Sequence, residues 1–443
     1  MASVYPANQV YLLNSPMKAR TLGILGMVVG FLVILLGKVT PDDRLVISDI
    51  PLNTIFVVMV GLYSLVIGLP TRVIMLVGLW MIPIHLLLVT VAWSGDVETG
   101  MFKYINFITS TSIAFIFFFD VIRRFGVAYV SRIVGVMLGV LLILAIVYKI
   151  KYGFFNRAVS FFLSGPIVFG RLMGMATIIS LLYYKGIVKY VGAVVFTMAV
   201  AWTQSKAPVV FIIFVLLMIA TFEFSNKERI WLVAIFVSAV VAVLIIVPMD
   251  TIAKFFSRFA MLYDLATSAT STVSEPSSGP ASQGGEDVSS NDRVLFYMYS
   301  LHLIAVSPLG IGLGGWEKAL PNDFVVWYPH NFFFELFTEG GVLLGMVASI
   351  PFMMFAFSRR KSFYYIGLFL FMAQQTSGSL VDARYLLLFS LLALTEKYFE
   401  EEVELSDFRA RLVKRLPGTP LEKLKQLTEP GVIRVATGRF LRR

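Results

Sequence analysis

The chain has 443 residues and a net charge of +10, with 58% hydrophobic and only 14% charged residues, against about 25% charged residues in an ordinary soluble protein. So few charges cannot cover a water-soluble fold of this size, which excludes such a fold and predicts an all-α integral membrane protein with several spans. The absence of cysteine excludes disulfides, thiolate metal sites and cysteine nucleophiles, and three histidines leave little room for a histidine-rich metal centre.

Apolar windows of about 20 residues, the length that crosses a membrane as a helix, predict about twelve spans. The predicted spans cover residues 21–38, 54–70, 73–94, 104–121, 128–148, 166–184, 187–204, 208–224, 230–248, 340–358, 362–380 and 383–397. No Ala-x-Ala cleavage site follows the first of them, so it is interpreted as a retained span rather than a signal peptide.

The charges of the connections between spans alternate along the chain. One set of connections carries basic residues, namely Lys18, Arg20, Arg72, Arg123, Arg124, Lys185, Lys189, Lys227, Arg229, Arg359, Arg360 and Lys361. The opposite connections carry acidic residues, namely Asp42, Asp43, Asp49, Asp96 and Glu98. Because basic connections stay in the cytoplasm, this alternation predicts that both termini are cytoplasmic.

These patterns divide the chain into four parts. Residues 1–248 are predicted to form a transmembrane bundle of about nine helices, 249–339 an outer loop domain, 340–397 about three further spans, and 398–443 a basic cytoplasmic tail. Between residues 405 and 443 the tail carries ten basic and three acidic side chains, which is typical of a segment facing anionic lipid. It lacks interleaved aromatic residues and any nucleic-acid-binding motif, so membrane lipids are the expected partner and nucleic acid is not.

The outer loop contains segments of different character. Residues 251–266 have apolar side chains at helical spacing and predict an amphipathic helix on the membrane surface. Residues 267–291 are rich in Ser, Thr, Gly and Pro, which predicts a flexible segment. A second amphipathic stretch begins near Asp292. The glycine-rich run 310–315 is interpreted as a turn, because the Lys-Ser/Thr of a phosphate-binding loop does not follow it.

Four basic residues stand out against the acidic or neutral outer side. Arg171 lies about five residues inside the sixth span, where an arginine is costly to bury and usually faces a cavity with a partner. Lys206 closes the seventh span, Arg258 lies on the surface helix, and Arg293 begins the second amphipathic stretch. The alternative for Arg171 and Lys206 is an anchor that extends to the membrane surface, and for Arg258 it is attraction to anionic lipid.

His330 differs from the other two histidines. It follows Pro329 and precedes Asn331, a good N-cap for the aromatic helix start that comes next. An exposed imidazole held in such a turn suits proton abstraction from a hydroxyl, and the alternative is a residue that merely helps to cap the helix. His85 is predicted to be a hydrogen-bonded interior residue. His302 is half a turn out of phase with Arg293 and is predicted to be a packed or surface residue.

Three segments in chain order resemble one known family. Thr203-Gln-Ser-Lys206 is similar to its Thr-x-Ser-Arg segment, with Lys in place of Arg. Asn291-Asp-Arg293 followed by Ser307-Pro-Leu-Gly-Ile-Gly-Leu-Gly314 resembles its Arg…Pro-x-x-Gly-x-Gly-x-Gly segment. Pro329-His330-Asn331 followed by Glu339-Gly-Gly341 resembles its Pro-His-Asn…Glu-x-Gly block. Together they resemble the O-antigen ligase and O-antigen polymerase superfamily, the WaaL/Wzy-type proteins with a Wzy_C domain.

This resemblance implies a metal-independent, GT-C-like membrane glycosyltransferase without a cofactor, acting at the periplasmic face of the bacterial inner membrane. The implied donor is a glycan on undecaprenyl diphosphate, and the acceptor is lipid A core for a ligase or a growing glycan for a polymerase. His330 corresponds to the catalytic histidine, and Arg293, Arg258, Arg171 and Lys206 to cations that bind the diphosphate. Lys206 departs from the family pattern, because lysine cannot make the bidentate phosphate contact of arginine.

The residue chemistry fits this reaction, since a departing diphosphate needs its charge neutralised and an acceptor hydroxyl needs a base. The alternative is a multi-span exporter or flippase of lipid-linked or anionic solutes, which twelve spans suit equally. A transporter is expected to carry paired charges near the bilayer centre, whereas the unusual charges here cluster at the outer face. Turnover of donor by the purified protein distinguishes the two classes.

Overall fold

The computed structural model describes residues 46–47, 50–51, 71–156, 159–162, 165–246, 290–320 and 328–399. Most of these residues are helical. Strand β1 (Val46–Ile47) pairs antiparallel with β2 (Ile50–Pro51), with Val46 opposite Pro51 and Ile47 opposite Ile50.

Thirteen α-helices follow in the described residues. They are α1 (Thr71–Thr90), α2 (Val97–Phe125), α3 (Val127–Tyr152), α4 (Pro166–Tyr183), α5 (Gly186–Trp202), α6 (Lys206–Glu223), α7 (Asn226–Ile246), α8 (Ser290–Val306), α9 (Trp316–Ala319), α10 (Phe332–Gly340), α11 (Val342–Met353), α12 (Lys361–Ser377) and α13 (Arg384–Leu394). Short 3-10 turns, Val91–Trp93 and Met354–Phe357, follow α1 and α11.

A helix lies at each of the ten predicted spans that fall within the described residues. Five are long and apolar enough to cross a membrane by length and composition: Thr71–Trp93, Val97–Arg123, Val127–Tyr152, Pro166–Tyr183 and Lys206–Glu223. The helical membrane fold is therefore confirmed, while the total of twelve spans stays a prediction. The spans 21–38 and 54–70, the surface helix 251–266, nearly all of 267–291 and the tail beyond residue 399 lie outside the described residues.

Helix α4 lies at the centre of the bundle and is buried on nearly all sides, as expected of a helix that is apolar all round. It packs against α3, α5, α6 and α12. Two glycine contacts allow this close packing. A Cβ on Gly174 would lie 2.2 Å from the Phe369 ring of α12, and a Cβ on Gly192 of α5 would lie 2.9 Å from Ser180 Oγ. The core is thus built around a helix that carries Arg171 in its second turn.

The basic connections meet at one end of the bundle, here called the basic end. Lys189 in the first turns of α5 forms an ion pair with Glu228 of α7, with Nζ 2.7 Å from Oε1. Lys361, the first residue of α12, pairs with Glu223, the last residue of α6. These pairs place the connections α4–α5, α6–α7 and α11–α12 together, which agrees with the alternation of charge along the sequence.

The predicted orientation of the two ends can be measured with reporter fusions. Fusions at Ser278 and at the C-terminus should report opposite sides of the membrane, with the C-terminal one cytoplasmic, because the basic connections determine which end stays inside. Labelling of both fusions from the same side would contradict the orientation and with it a periplasmic site.

Candidate functional site

His330 lies immediately before α10, at the end of the bundle opposite the basic end. Its backbone is left-handed, with φ of 58°, a conformation uncommon for a residue with a side chain. The ring centroid lies 4.6 Å from that of Tyr328 and 6.2 Å from that of Phe296, with the Phe296 ring tilted by only 26°. The imidazole is therefore half-buried between aromatic rings, which corrects the expectation of an exposed side chain.

Asn331 is the predicted N-cap of α10. Its Oδ1 accepts hydrogen bonds from the backbone N–H groups of Phe333 (2.9 Å) and Phe334 (3.1 Å), which confirms the cap. Its Nδ2 also donates to the carbonyl of Gln375 at the end of α12, at 2.7 Å. One side chain thus fixes both the start of the helix and its position against the bundle, directly beside His330.

Sequence reasoning missed a buried charged cluster beneath α10. Lys103 of α2 contacts two carboxylates of α10, with Nζ 2.7 Å from Glu335 Oε1 and 2.8 Å from Glu339 Oε1. The second oxygen of Glu335 accepts the Leu380 backbone N–H at 2.6 Å. We call Lys103, Glu335 and Glu339 the charged triad. Glu339 was recognised as part of a motif, but nothing in the local sequence around Lys103 indicates its partners.

Arg171 is buried and paired. Its side chain is 1% exposed, and Nη1 lies 3.6 Å from Asp382 Oδ2 in the turn between α12 and α13. The structure therefore agrees with the interpretation of Arg171 as a buried, paired arginine. It does not agree with the interpretation of Arg171 as a surface anchor. The same turn leads to Arg384, a second buried arginine, whose Nη2 lies 3.3 Å from the Tyr385 hydroxyl. Sequence reasoning passed over Arg384, although Asp382 and Arg384 interrupt an apolar stretch.

Lys206 is the first residue of α6, not the end of the seventh span as expected. Helix α5 ends at Trp202, and the Ser205 backbone N–H donates to Thr203 Oγ1 at 3.2 Å in the turn between the two helices. This turn abuts α4, since a Cβ on Gly170 would lie 3.2 Å from both Thr203 Oγ1 and Pro208. The turn that ends at Lys206 therefore contacts Gly170, the residue immediately before Arg171.

Arg293 lies in the first turn of α8, which confirms the helical prediction for this stretch. It precedes Phe296, the residue beside His330, by about one helical turn. The next residue, Tyr297, has its ring centroid 5.2 Å from that of Phe334 in α10. The structure thus brings the backbone of Arg293 close to the start of α10. Arg258 lies outside the described residues.

The other two histidines lie on α8 and α1. His302 is exposed on α8, as predicted. His85 is hydrogen-bonded, with Nδ1 2.7 Å from the Tyr104 hydroxyl, but it is exposed rather than interior. That part of the prediction was wrong, because Ile84 and Leu87 form the buried face of α1 and His85 points away from it.

The glycine-rich run is a turn, as predicted, and it packs between the corner that joins α1 to α2 and the end of α10. Gly310, Gly312 and Gly314 all have positive φ, between 83° and 88°. The backbone N–H of Gly312 donates to the carbonyl of Glu339 at 3.0 Å, and that of Leu313 donates to Thr90 Oγ1 at the same distance. The turn therefore joins the corner between α1 and α2 to the end of α10.

An ion pair secures the same corner. Asp96, the N-cap of α2, accepts a hydrogen bond from Thr99 and lies 3.5 Å from Lys318 Nζ, beyond the glycine turn. Burial by itself raises the pKa of the Asp96 carboxyl, but the hydrogen bonds from Thr99 and the attraction of Lys318 outweigh it and hold the pKa below the ordinary aspartate value. The carboxylate thus stays ionised at neutral pH.

The electrostatic character of this end suits a bound anion. Helices α4, α6, α10 and α13 all begin here, and helix N-termini carry partial positive charge. Arg171, Lys206 and Arg384 add positive charges there, which are offset in part by Asp382 and by the second carboxylate of the charged triad. Among the described residues, no three His, Cys, Asp or Glu side chains are grouped to hold a metal ion. This end of the bundle therefore carries the His330 imidazole and several cations. An imidazole can take the proton of a hydroxyl, and cations can stabilise an anionic leaving group.

Comparison with known protein families gives a match. Residues 191–349 match the protein-family model Wzy_C, described as O-antigen ligase. The matched segment runs from α5 into α11 and contains Lys206, Arg258, Arg293 and His330. No curated protein sequence matches the chain. The match confirms the resemblance that the three motifs indicate.

Proposed function

We propose that this chain, whose residues 191–349 match the O-antigen ligase family model, is a membrane glycosyltransferase that moves a glycan from undecaprenyl diphosphate to an acceptor hydroxyl. The acceptor is lipid A core in a ligase or a growing glycan in a polymerase. The observation that carries the proposal is the position of His330, which packs against Tyr328 and Phe296 at the same end of the bundle as Arg171, Lys206 and the start of α8.

In the proposed reaction His330 acts as the general base. It takes the proton of the acceptor hydroxyl while the acceptor oxygen forms a bond to the anomeric carbon of the donor glycan. The bond between that carbon and the diphosphate oxygen breaks, and the electron pair leaves with undecaprenyl diphosphate. Because a diphosphate is a stable anion, this step needs neutralisation of charge more than it needs an acid.

The cations supply that neutralisation without a metal in this proposal. Arg171 is fixed by Asp382, so its guanidinium is already oriented before donor binds. Lys206 adds a point charge at the first residue of α6, where the helix dipole reinforces it. Arg293 is assigned to the diphosphate by its place in a family motif, and Arg258 by the resemblance and its place in the predicted surface helix. Nearby positive charge also favours the neutral imidazole that a base requires.

The rest of the chain is assigned around this site. The outer loop domain 249–339 is proposed to be periplasmic, with the surface helix 251–266 covering the polyprenyl chain and 267–291 moving during substrate entry. The tail 398–443 is proposed to lie on anionic lipid in the cytoplasm. The GT-C-like bundle is proposed to sit in the bacterial inner membrane with both termini cytoplasmic.

A transfer assay in detergent tests the proposal. Purified protein, lipid-linked glycan donor and either lipid A core or unlinked acceptor glycan are incubated without added metal. We expect undecaprenyl diphosphate to be released and one of the two acceptors to gain the glycan, which also distinguishes ligase from polymerase. An exporter or flippase would leave donor and acceptor unchanged, because it has no covalent step to perform.

The cations give a quantitative prediction. Arg293→Ala and Arg258→Ala should each weaken donor use by roughly 1.5–3 kcal/mol, because each loses a charged hydrogen bond to the diphosphate. Lysine at either position should restore only part of the lost donor use. The measurement is kcat/KM for donor. Arg132→Ala is the control, since that guanidinium contacts the Tyr183 carbonyl at the basic end. Wild-type donor use by both alanine variants would reassign these residues to lipid contacts.

A further inference from the structure

The charged triad has no role in the proposed chemistry, yet it is the most deeply buried charged cluster near the site. The side chains of Lys103, Glu335 and Glu339 are 5%, 0% and 1% exposed. Two carboxylates share one ammonium, and Glu339 Oε2 finds no hydrogen-bond donor among the residues that the structure describes. Buried ion pairs are weak sources of stability compared with apolar packing of similar volume, so stability alone does not account for the cluster.

Glu335 connects the two halves of the site directly. Its backbone N–H donates to the carbonyl of Asn331 at 3.0 Å, one turn earlier and next to His330. Its Oε2 accepts the N–H of Leu380, two residues before Asp382, which pairs with Arg171. The Glu335 carboxylate therefore joins the helix that begins beside His330 to the turn that carries Asp382, the partner of Arg171.

Lys103 holds this carboxylate in place from a third element. The ammonium, on α2, contacts Oε1 of Glu335 and Oε1 of Glu339. Oε2 of Glu335 accepts its hydrogen bond from the turn between α12 and α13. Glu335 is thus bound at both oxygens by groups on two different elements. Removing either contact leaves the Asn331–Gln375 hydrogen bond to hold the start of α10 and loosens the link between Glu335 and the turn, without removing any group that touches substrate.

We propose that Glu335, oriented by Lys103, is a positioning residue that fixes the separation between the His330 imidazole and the Arg171 guanidinium. This inference rests on the proposed function, because it assigns His330 and Arg171 to the base and the leaving group. The base acts at the bond that forms, and the cations act at the bond that breaks, on the other side of the anomeric carbon. The separation between the base and the cations therefore determines how often acceptor and donor are aligned. Misplacement by about 1 Å is enough to lower turnover by about 10²-fold.

Glu335→Gln tests the proposal with almost no change in volume. The carboxamide has one acceptor oxygen, so its amide group must face either the Lys103 ammonium or the Leu380 N–H, and one of the two contacts is lost. We expect kcat to fall by about 10–100-fold while KM for donor stays within a few-fold, since no diphosphate contact is removed. Glu98→Gln is the matched control, because Glu98 is exposed in the first turn of the same helix as Lys103.

A second measurement does not require turnover. Diethyl pyrocarbonate modifies imidazoles, and the chain has three, of which His302 is an exposed internal reference. Mass spectrometry of donor-free protein should show a changed rate of His330 modification in Glu335→Gln, with the His302 rate unchanged, and no change in Glu98→Gln. If the wild type transferred no glycan, the proposed function would fail while this measurement still tested the positioning.

The outcomes that overturn the inference are distinct. Unchanged kcat in Glu335→Gln, or lowered kcat with an unchanged rate of His330 modification, would each contradict positioning, as would an equal loss in Glu98→Gln. If Glu335→Gln does not fold, the variant Lys103→Met, Glu335→Gln, Glu339→Gln removes all three charges together and leaves no buried charge unpaired. It should fold with low kcat and altered His330 modification, and normal kcat in it would overturn the proposal.

Discussion

Replacing His330 by alanine should lower glycan transfer by about 10²–10⁴-fold, the usual contribution of general-base catalysis, which corresponds to roughly 3–5 kcal/mol of activation free energy. Donor binding should change little, because the proposed diphosphate contacts come from other side chains. The decisive experiment measures single-turnover transfer and donor affinity on the same purified variant.

The other two histidines provide matched controls for this substitution. His302→Ala removes an exposed imidazole from α8, and His85→Ala removes one that contacts Tyr104 of α2. Neither should combine lost turnover with retained donor binding. Near-normal turnover in His330→Ala would exclude His330 as the base. Loss of donor binding in that variant would assign the imidazole to diphosphate recognition instead.

Gly312→Ala should be among the most destabilising single-methyl changes in the described part of the chain. A Cβ there would lie 2.5 Å from Ser94 Cα and 2.6 Å from the Thr90 carbonyl oxygen, both backbone atoms that cannot rotate away. The positive φ of 88° adds strain of about 1–2 kcal/mol, and the forced backbone shift adds about 1–3 kcal/mol. The free energy of unfolding in detergent measures the sum.

Gly126→Ala separates the two contributions. Gly126, between α2 and α3, also has a positive φ, of 80°, but a Cβ there meets nothing within 4 Å. Its φ of 80° and ψ of 151° lie in a region that is essentially restricted to glycine, so this variant should lose only the conformational part, about 1–3 kcal/mol. Equal losses in Gly126→Ala and Gly312→Ala would show that the glycine turn is not wedged against the corner between α1 and α2.

The parts of the fold that depend on local sequence were predictable. Hydropathy located ten helices, because a membrane-crossing segment must be apolar over its whole length. The cap at Asn331 and the turn at Gly310–Gly315 were also predictable, since both depend on side chains and backbone freedom of adjacent residues. The same reasoning singled out His330 as a candidate, from its place between a proline and a helix cap.

What could not be predicted depends on which face of a helix is buried and on partners distant in sequence. Helix α1 is apolar all round, so no periodicity reveals that His85 faces outward. The sequence around Lys103 does not indicate that the lysine is paired, because its partners Glu335 and Glu339 lie in a different part of the chain. The start of α6 at Lys206 did have a signal that was overlooked: Pro208 two residues on, since proline is favoured in the first turn of a helix.

The charged triad also has a consequence for the order of assembly in the membrane. Lys103 is separated from Glu335 by 232 residues and from Glu339 by 236. At about 5–20 residues per second, a ribosome needs on the order of 10–50 s to make that stretch. Helix α2 is therefore inserted long before its counter-charges exist, and its lysine, in the second turn, must extend toward the membrane surface meanwhile. In a chain that stops before residue 335, the lysine has neither carboxylate to pair with.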